Sequence, residues 1–227
     1  MQSNLVFDSI FDSRISLADL YNQAIKTVIS FGYNDEIEWQ RSRSIESFTE
    51  EDLLRESAWV ILCSGFKEQY VRRVFDKVSL CFCDWESSSE IVLNLPQCRD
   101  SAFHVFANRK KIDAIASVAI KINSIGFAEI QKRILMHPMD ELKNLPFIGP
   151  ITSYHLAKNL GLDVAKPDRH LVRIANKLGY LDVQQLCMEI AQVTGEVLTV
   201  IDLVLWRFVT LIISQPEKVS MQFEVVH

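Results

Sequence analysis

Two segments of this sequence carry residues whose types and spacing suit chemistry. The first is LKNLPFIGPITSYHLAKNLG, from Leu142 to Gly161. A short helix ends at Leu145, Pro146 stops it, Gly149 permits a tight turn, and Pro150 occupies a position favoured for a first helical residue. Two helices joined so closely leave unpaired backbone N–H groups at the second N-terminus. Those groups lie at the positive end of the helix dipole, where a phosphate binds readily. The second segment begins at Lys166 and places Asp168 nineteen residues past Gly149. Asp168 is positioned to cap a helix with apolar residues at Leu171, Val172, Ile174, Ala175 and Leu178, and taken alone it reads as an N-cap. Beside a phosphate-gripping hairpin, the same carboxylate can stand next to the anomeric carbon of a nucleotide turned out of a duplex. There it would stabilise a sugar cation.

The two segments together resemble the helix–hairpin–helix DNA glycosylase superfamily, nearest its 8-oxoguanine glycosylase and endonuclease III-like branches. The family hairpin, L-P-G-[IV]-G-x-K-T-A, is matched by Leu145-Pro146-Phe147-Ile148-Gly149-Pro150-Ile151-Thr152-Ser153. The later D-x-H and apolar helix are matched by Asp168-Arg169-His170-Leu171-Val172-Arg173. The resemblance implies DNA-backbone contacts at Phe147, Ile148, Gly149, Ile151, Thr152 and His170, with Asp168 as the catalytic carboxylate. It implies base excision from damaged double-stranded DNA by a monomer, without a cofactor. Whether a monovalent cation sits on hairpin carbonyls such as those of Leu145 and Ile148 is left open. Two positions depart from the family. Phe147 replaces the first glycine, and Ile151 stands where strand-cleaving members carry a lysine that forms a Schiff base. The implied activity is therefore hydrolysis of the N-glycosidic bond, leaving an abasic site uncut.

Family members fill the gap left by the extruded base from a loop that here reads Ser64 to Tyr70. Phe66 and Tyr70 are its wedge candidates, with core packing as the alternative. For the base pocket, helical spacing places Glu56, Trp59, Val60 and Cys63 on one face of a helix over 49–64. A carboxylate beside an indole suits an electron-poor purine, although a solvated helix flank explains Glu56 equally. Trp206 and Phe208 are further pocket candidates, or core.

The elements that must position these residues are helices. Of 227 residues, 48% are hydrophobic and 23% charged, with only 7 glycines and 6 prolines, which disfavours a turn-rich β fold. Helical periodicity is readable over 16–31, 49–64 and in nine further stretches from 68 to 213, and no strand-like alternation appears except a doubtful apolar tail at 223–226. The expected architecture is all-α in two lobes with a DNA-binding cleft between them. A central lobe (53–164) carries the helix–hairpin–helix at 138–160. The second lobe combines 1–52 with 165–227, and 32–48 is read as a loose excursion.

Net charge is −5 but unevenly spread. Residues 59–177 hold 17 bases against 12 acids, between acidic ends, a pattern that suits one phosphate-facing surface. Five cysteines without a signal peptide point to a reducing, cytoplasmic, nucleoid-associated setting. Cys81 and Cys83 lack the spacing of a metal site, so no metal-ligating set is expected. The apolar stretch 197–213 contains Asp202 and Arg207 and reads as a buried core helix, so no membrane partner is expected. Two other function classes fit less: a non-catalytic relative that recognises distorted or abasic DNA, and a helical scaffold.

Overall fold

A computed structural model of the chain describes residues 2–12 and 15–224. Among the described residues it contains fifteen α-helices and no strand. They form two compact units, one of residues 1–43 with 163–227, the other of residues 44–162. The chain starts in the first unit with α1 (Gln2–Ile10), α2 (Leu17–Ser30) and α3 (Asn34–Ser42). It enters the second unit with α4 (Glu50–Cys63) and α5 (Glu68–Cys81), a 3-10 turn at Cys83–Trp85, then α6 (Ser88–Leu93) and α7 (Leu95–Val105). That unit is completed by α8 (Arg109–Ile125), α9 (Phe127–Met136), α10 (Pro138–Lys143) and α11 (Pro150–Asn159). The return to the first unit supplies α12 (Arg169–Lys177), α13 (Val183–Thr194), α14 (Leu198–Ser214) and α15 (Pro216–Glu224).

The first unit is built around α14, which is apolar on almost every side and buried at Val200, Ile201, Val204, Leu205, Phe208, Val209 and Ile212. A helix with no polar stripe has to be surrounded. Phe7 leans on Phe11 and Phe11 meets Phe208 of this helix edge-on, with ring centroids 4.5 and 6.0 Å apart. Arg207, buried in this helix, makes a two-pronged ion pair with Glu36 of α3 at 2.8 and 2.9 Å. That pair, with buried Ile37, explains why the stretch expected to be loose at 32–48 contains a helix. Its order comes from tertiary partners, and its own sequence is too polar to show an apolar face. Four helices (α1, α3, α6 and α15) lie outside the stretches expected to be helical. The expected tail at 223–226 runs into α15 as far as Glu224, and residues 225–227 lie outside the described residues.

The second unit is centred on α4. Thr49 caps it, accepting from Asp52 N at 3.1 Å while Thr49 N donates to the Asp52 carboxylate at 2.8 Å. Such a reciprocal cap contributes about 1 kcal/mol. Leu53, Leu54, Ala58, Ile61 and Leu62 are buried, and so are Glu56, Ser57 and Val60. The units divide at 43/44 and 162/163 rather than at the expected 52/53 and 164/165. Residues 44–52 belong to the second unit for a packing reason. Gly161 has φ +96°, and a Cβ there would lie 2.6 Å from Ile45 N. The Gln131 side chain also donates to Phe48 O at 2.9 Å, and the Phe48 ring meets Phe127 edge-on.

Candidate functional site

The hairpin between α10 and α11 is anchored by buried Leu142, Leu145 and Ile148. Ile148 therefore faces the interior and offers only its backbone to the surface. The left-handed residue of the turn is Phe147, at φ +66°, whereas Gly149 is extended at φ −100° and ψ −174°. The freedom expected of Gly149 is thus used two residues earlier, at the position where the family pattern has its first glycine. A Cβ at Gly149 would meet nothing nearer than Thr152 Oγ1 at 3.8 Å, so its own fold does not require glycine. Gly149 N donates to Thr152 Oγ1 at 2.6 Å. Pro150 has no N–H, and the amides of Ile151 and Thr152 make no hydrogen bond among the described residues. The helix begins with open donors. Ile151 is 45% exposed beside them and carries no amine.

Two aromatic rings of the second unit, Phe66 and Phe147, flank one lysine, and a third, Tyr70, stacks on Phe66. Phe66, from the loop after α4, and Tyr70, in the first turn of α5, are each 41% exposed, and Phe147 is 47% exposed. Phe66 stacks on Tyr70 at 6.0 Å and leans on buried Phe106 at 5.0 Å. Lys111 of α8, itself buried, places its ammonium 5.3 Å from the Phe66 ring centre and 5.1 Å from that of Phe147. The same ammonium donates to the carbonyls of Ile61, Leu62 (3.3 Å) and Ser64 (2.7 Å), closing the C-terminus of α4. Burial pulls the Lys111 pKa down from the usual lysine value to about 8. The loop after α4 and the hairpin, far apart in sequence, are brought together on this one cation.

In the first unit, Asp168 caps α12. Its Oδ1 accepts from His170 N at 2.8 Å and Leu171 N at 3.1 Å, while Oδ2 makes no hydrogen bond among the described residues. The carboxylate is only partly buried. The extended approach to it is fixed by side chains from elsewhere in the unit. Gln184 exchanges two hydrogen bonds with the Ala165 backbone (3.3 and 2.7 Å), and the buried Asp202 carboxylate accepts from Lys166 N at 3.1 Å. Sequence reading missed both residues. Asp202 left a trace as an acid inside an apolar helix, and Gln184 left none. His170 is half-buried, accepts from Arg169 Nε at 3.3 Å, and has its pKa lowered chiefly by burial.

The base-pocket candidates are placed differently from expectation. Glu56 is neither a solvated flank nor a free receptor. It is buried and accepts from Asn159 Nδ2 at 2.8 Å, tying α4 to α11 behind the hairpin. Trp59 packs edge-on against Phe75 at 5.0 Å and lies under the Arg72 guanidinium at 5.6 Å, both on α5. In the first unit, Trp206 flanks the core and meets Arg207 at 4.7 Å, and Phe208 is fully buried core. The basic excess of 59–177 also disappears when charge is counted by unit. Residues 44–162 hold 14 bases against 15 acids, because the acidic start of α4 folds with them. Among the described residues, no group of three or more His, Cys, Asp or Glu side chains is arranged to hold a metal, and no helix is long and apolar enough to cross a membrane.

Among solved structures, the chain is similar to the 8-oxoguanine DNA glycosylase of Thermotoga maritima. The two share 18% identity over 84% of this chain and 96% of that one, with a TM-score of 0.57. It is also similar to the 8-oxoguanine glycosylase/lyase of Methanocaldococcus jannaschii in complex with a 15mer DNA containing 8-oxoguanine. Here identity is 19% over 82% of this chain and 95% of that one, with a TM-score of 0.52. No family model and no curated relative matches the sequence. The chain has the all-α fold of these glycosylases.

Proposed function

We propose that this protein is a monofunctional DNA glycosylase of base-excision repair, hydrolysing the N-glycosidic bond of a damaged or mispaired base flipped out of duplex DNA. The observation that supports this most directly is Asp168, on a chain with a glycosylase fold. Its Oδ1 is committed to the helix start and its Oδ2 is uncommitted, which leaves a fixed negative charge for a reacting sugar. A carboxylate about 4 Å from an emerging sugar cation, at an effective dielectric near 20, contributes about 4 kcal/mol, or roughly three orders of magnitude in rate. Oδ2 can also orient the attacking water and take its proton.

In this reading the amides of Ile151 and Thr152 hold a backbone phosphate, and His170 binds beside another. Phe66, Tyr70 and Phe147 stack where the base has left, offsetting an extrusion cost of a few kcal/mol. With Ile151 in the hairpin, the nucleophile is water. Lys158 is buried and Lys143 precedes the turn, so neither takes the place of a Schiff-base amine. The protein acts as a monomer inside a reducing cell, with DNA as its partner and no cofactor in any step. A monovalent cation on the Leu145 and Ile148 carbonyls would serve only to shape the turn.

The test is a set of duplexes carrying single lesions (8-oxoguanine first, then uracil, 3-methyladenine, hypoxanthine and mispaired adenine). The expected result is base release from at least one, with strand scission only after alkali and no borohydride-trapped adduct. Spontaneous nicking or trapping would overturn the monofunctional assignment. Salt-sensitive binding to an abasic-site analogue without any base release would favour the non-catalytic relative instead.

A further inference from the structure

The second unit holds an open cavity of about 460 Å³ lined by Cys81, Cys83 and Cys98 together with Asn94 and Ser101. Cys83 Sγ and Cys98 Sγ lie 3.9 Å apart. Cys83 opens the turn between α5 and α6, in which Cys83, Asp84 and Trp85 are all left-handed, at φ +55°, +48° and +67°. Three consecutive non-glycine residues in that sparsely populated region persist only where the surroundings hold them. Here the anchor is Trp85. Its ring is fully buried against Phe82 (5.4 Å) and Phe75 (6.1 Å), and its Nε1 donates to Ser79 Oγ at 2.8 Å. The anchored turn therefore presents the partly exposed Cys83 thiol to the buried Cys98 thiol of α7, with the cavity giving access from solvent.

We propose that Cys83 and Cys98 form an oxidisable dithiol that closes to a disulfide on exposure to hydroperoxides. The Cys83 thiolate attacks one peroxide oxygen, breaking the O–O bond and giving a sulfenic acid and, from hydrogen peroxide, hydroxide, which is protonated to water. The Cys98 sulfur then attacks the sulfenic sulfur. The S–S bond forms, the hydroxyl leaves as a second water with the Cys98 proton, and both thiols are oxidised by one peroxide. The division of roles follows from environment. Burial and the neighbouring Cys83 push the Cys98 thiol up to about 12, so it stays protonated and meets the oxidant second. Closing the bond shortens the sulfur separation to about 2 Å and staples the strained turn to α7.

The experiment treats the full chain with stoichiometric hydrogen peroxide and digests it unreduced after glutamate. Cleavage at Glu86 and Glu90 separates the two cysteines unless they are bonded. The expected result is a loss of two free thiols, one cross-linked fragment pair and full reversal by dithiothreitol. Cys81→Ser should leave the cross-link intact and Cys83→Ser should abolish it. Cys98→Ser should leave a Cys83 sulfenic acid trappable by dimedone. A cross-link that needs Cys81, a disulfide between two molecules, or oxidation of Cys83 to sulfinic acid without any cross-link would each overturn the proposal. None of these readouts depends on base release, so the result stands apart from the glycosylase assignment.

Discussion

The starts of α11 and α12 solve the same problem in opposite ways. Every helix begins with amides that have no partner inside the helix. At α12 the Asp168 carboxylate takes two of them through a single oxygen, so the start is closed and negative. At α11 the cap is glycine and the first helical residue is proline. Thr152 Oγ1 reaches back to accept from Gly149 N and donate to Gly149 O, so the amides of Ile151 and Thr152 remain open. A closed start repels a phosphate and suits a developing cation, whereas an open start attracts a phosphate. One sequence device, the N-cap residue, thus divides two electrostatic roles between the two units.

The largest expected effect comes from neutralising the closed start. Asp168→Asn keeps a side-chain oxygen for His170 N and Leu171 N, and asparagine caps as well as aspartate. Base release should fall about a thousandfold, with DNA affinity and thermal midpoint nearly unchanged. Single-turnover kinetics beside a melting curve separates these effects. A parallel fall in stability would mean that the carboxylate serves the fold alone.

Next is the conversion of the open start into a closed one. Gly149 has a backbone that any residue can adopt, and its Cβ position is free. Gly149→Asp should therefore fold at least as stably as the parent, capping Ile151 and Thr152 as Asp168 caps its own helix. A carboxylate where a phosphate should sit should lower affinity for an abasic-site duplex about tenfold or more, read by titration at fixed salt. Unchanged affinity would remove the hairpin from the DNA surface.

These contrasts also mark how much was legible in the sequence. Pro146, Pro150 and Asp168 act on their immediate neighbours, so hairpin and cap could be read from spacing alone. The open amides at Ile151 and Thr152 followed from the same signals. Glu56 could not be read, because Asn159, the residue that defines its surroundings, is 103 positions away. Lys111 bonds carbonyls 47 to 50 positions away, and backbone acceptors leave no mark on sequence. Trp59 and Trp206 were read as pocket candidates, with a helix flank and core as the alternatives, because one chain without coordinates gives a helix face but not what covers it. The acidic start of α4 was assigned to the wrong lobe for the same reason. The Gly161 contact with Ile45 that joins it to the second unit is set by the fold.

A smaller effect should follow from Phe147→Gly. The left-handed backbone at φ +66° costs a residue with a Cβ about 1 kcal/mol that glycine avoids. Relief of that strain should offset the lost contact with Lys111, leaving the denaturation midpoint close to the parent's. Loss of one stacking ring should weaken binding to an abasic-site duplex by about 1–3 kcal/mol. Phe66→Ala should weaken it comparably, and the double variant should show coupling, because both rings rest on one ammonium. Strictly additive losses, measured as a double-mutant cycle, would separate the two rings.

The smallest effect concerns Lys111 and pH. Its pKa is about 8 in the folded protein against 10.5 ordinarily, with burial as the cause and the nearby Cys63 opposing it. Between these values the unfolded chain holds a proton that the folded protein has released. This site's contribution to stability is therefore lowest below pH 8 and rises towards pH 10.5. Tyr21 and Tyr180 work in the opposite direction at higher pH, because their raised pKa values make the folded state retain protons longer. The informative quantity is thus the difference between the parent and Lys111→Met, taken from urea unfolding at each pH. That difference should climb in the parent's favour from pH 8 upward. Over the same range the parent's affinity for an abasic-site duplex should fall more than the variant's, since deprotonation removes the cation between Phe66 and Phe147. A flat stability difference with parallel affinity curves would mean that the rings hold their places without the charge, and the link between wedge loop and hairpin would then be packing alone.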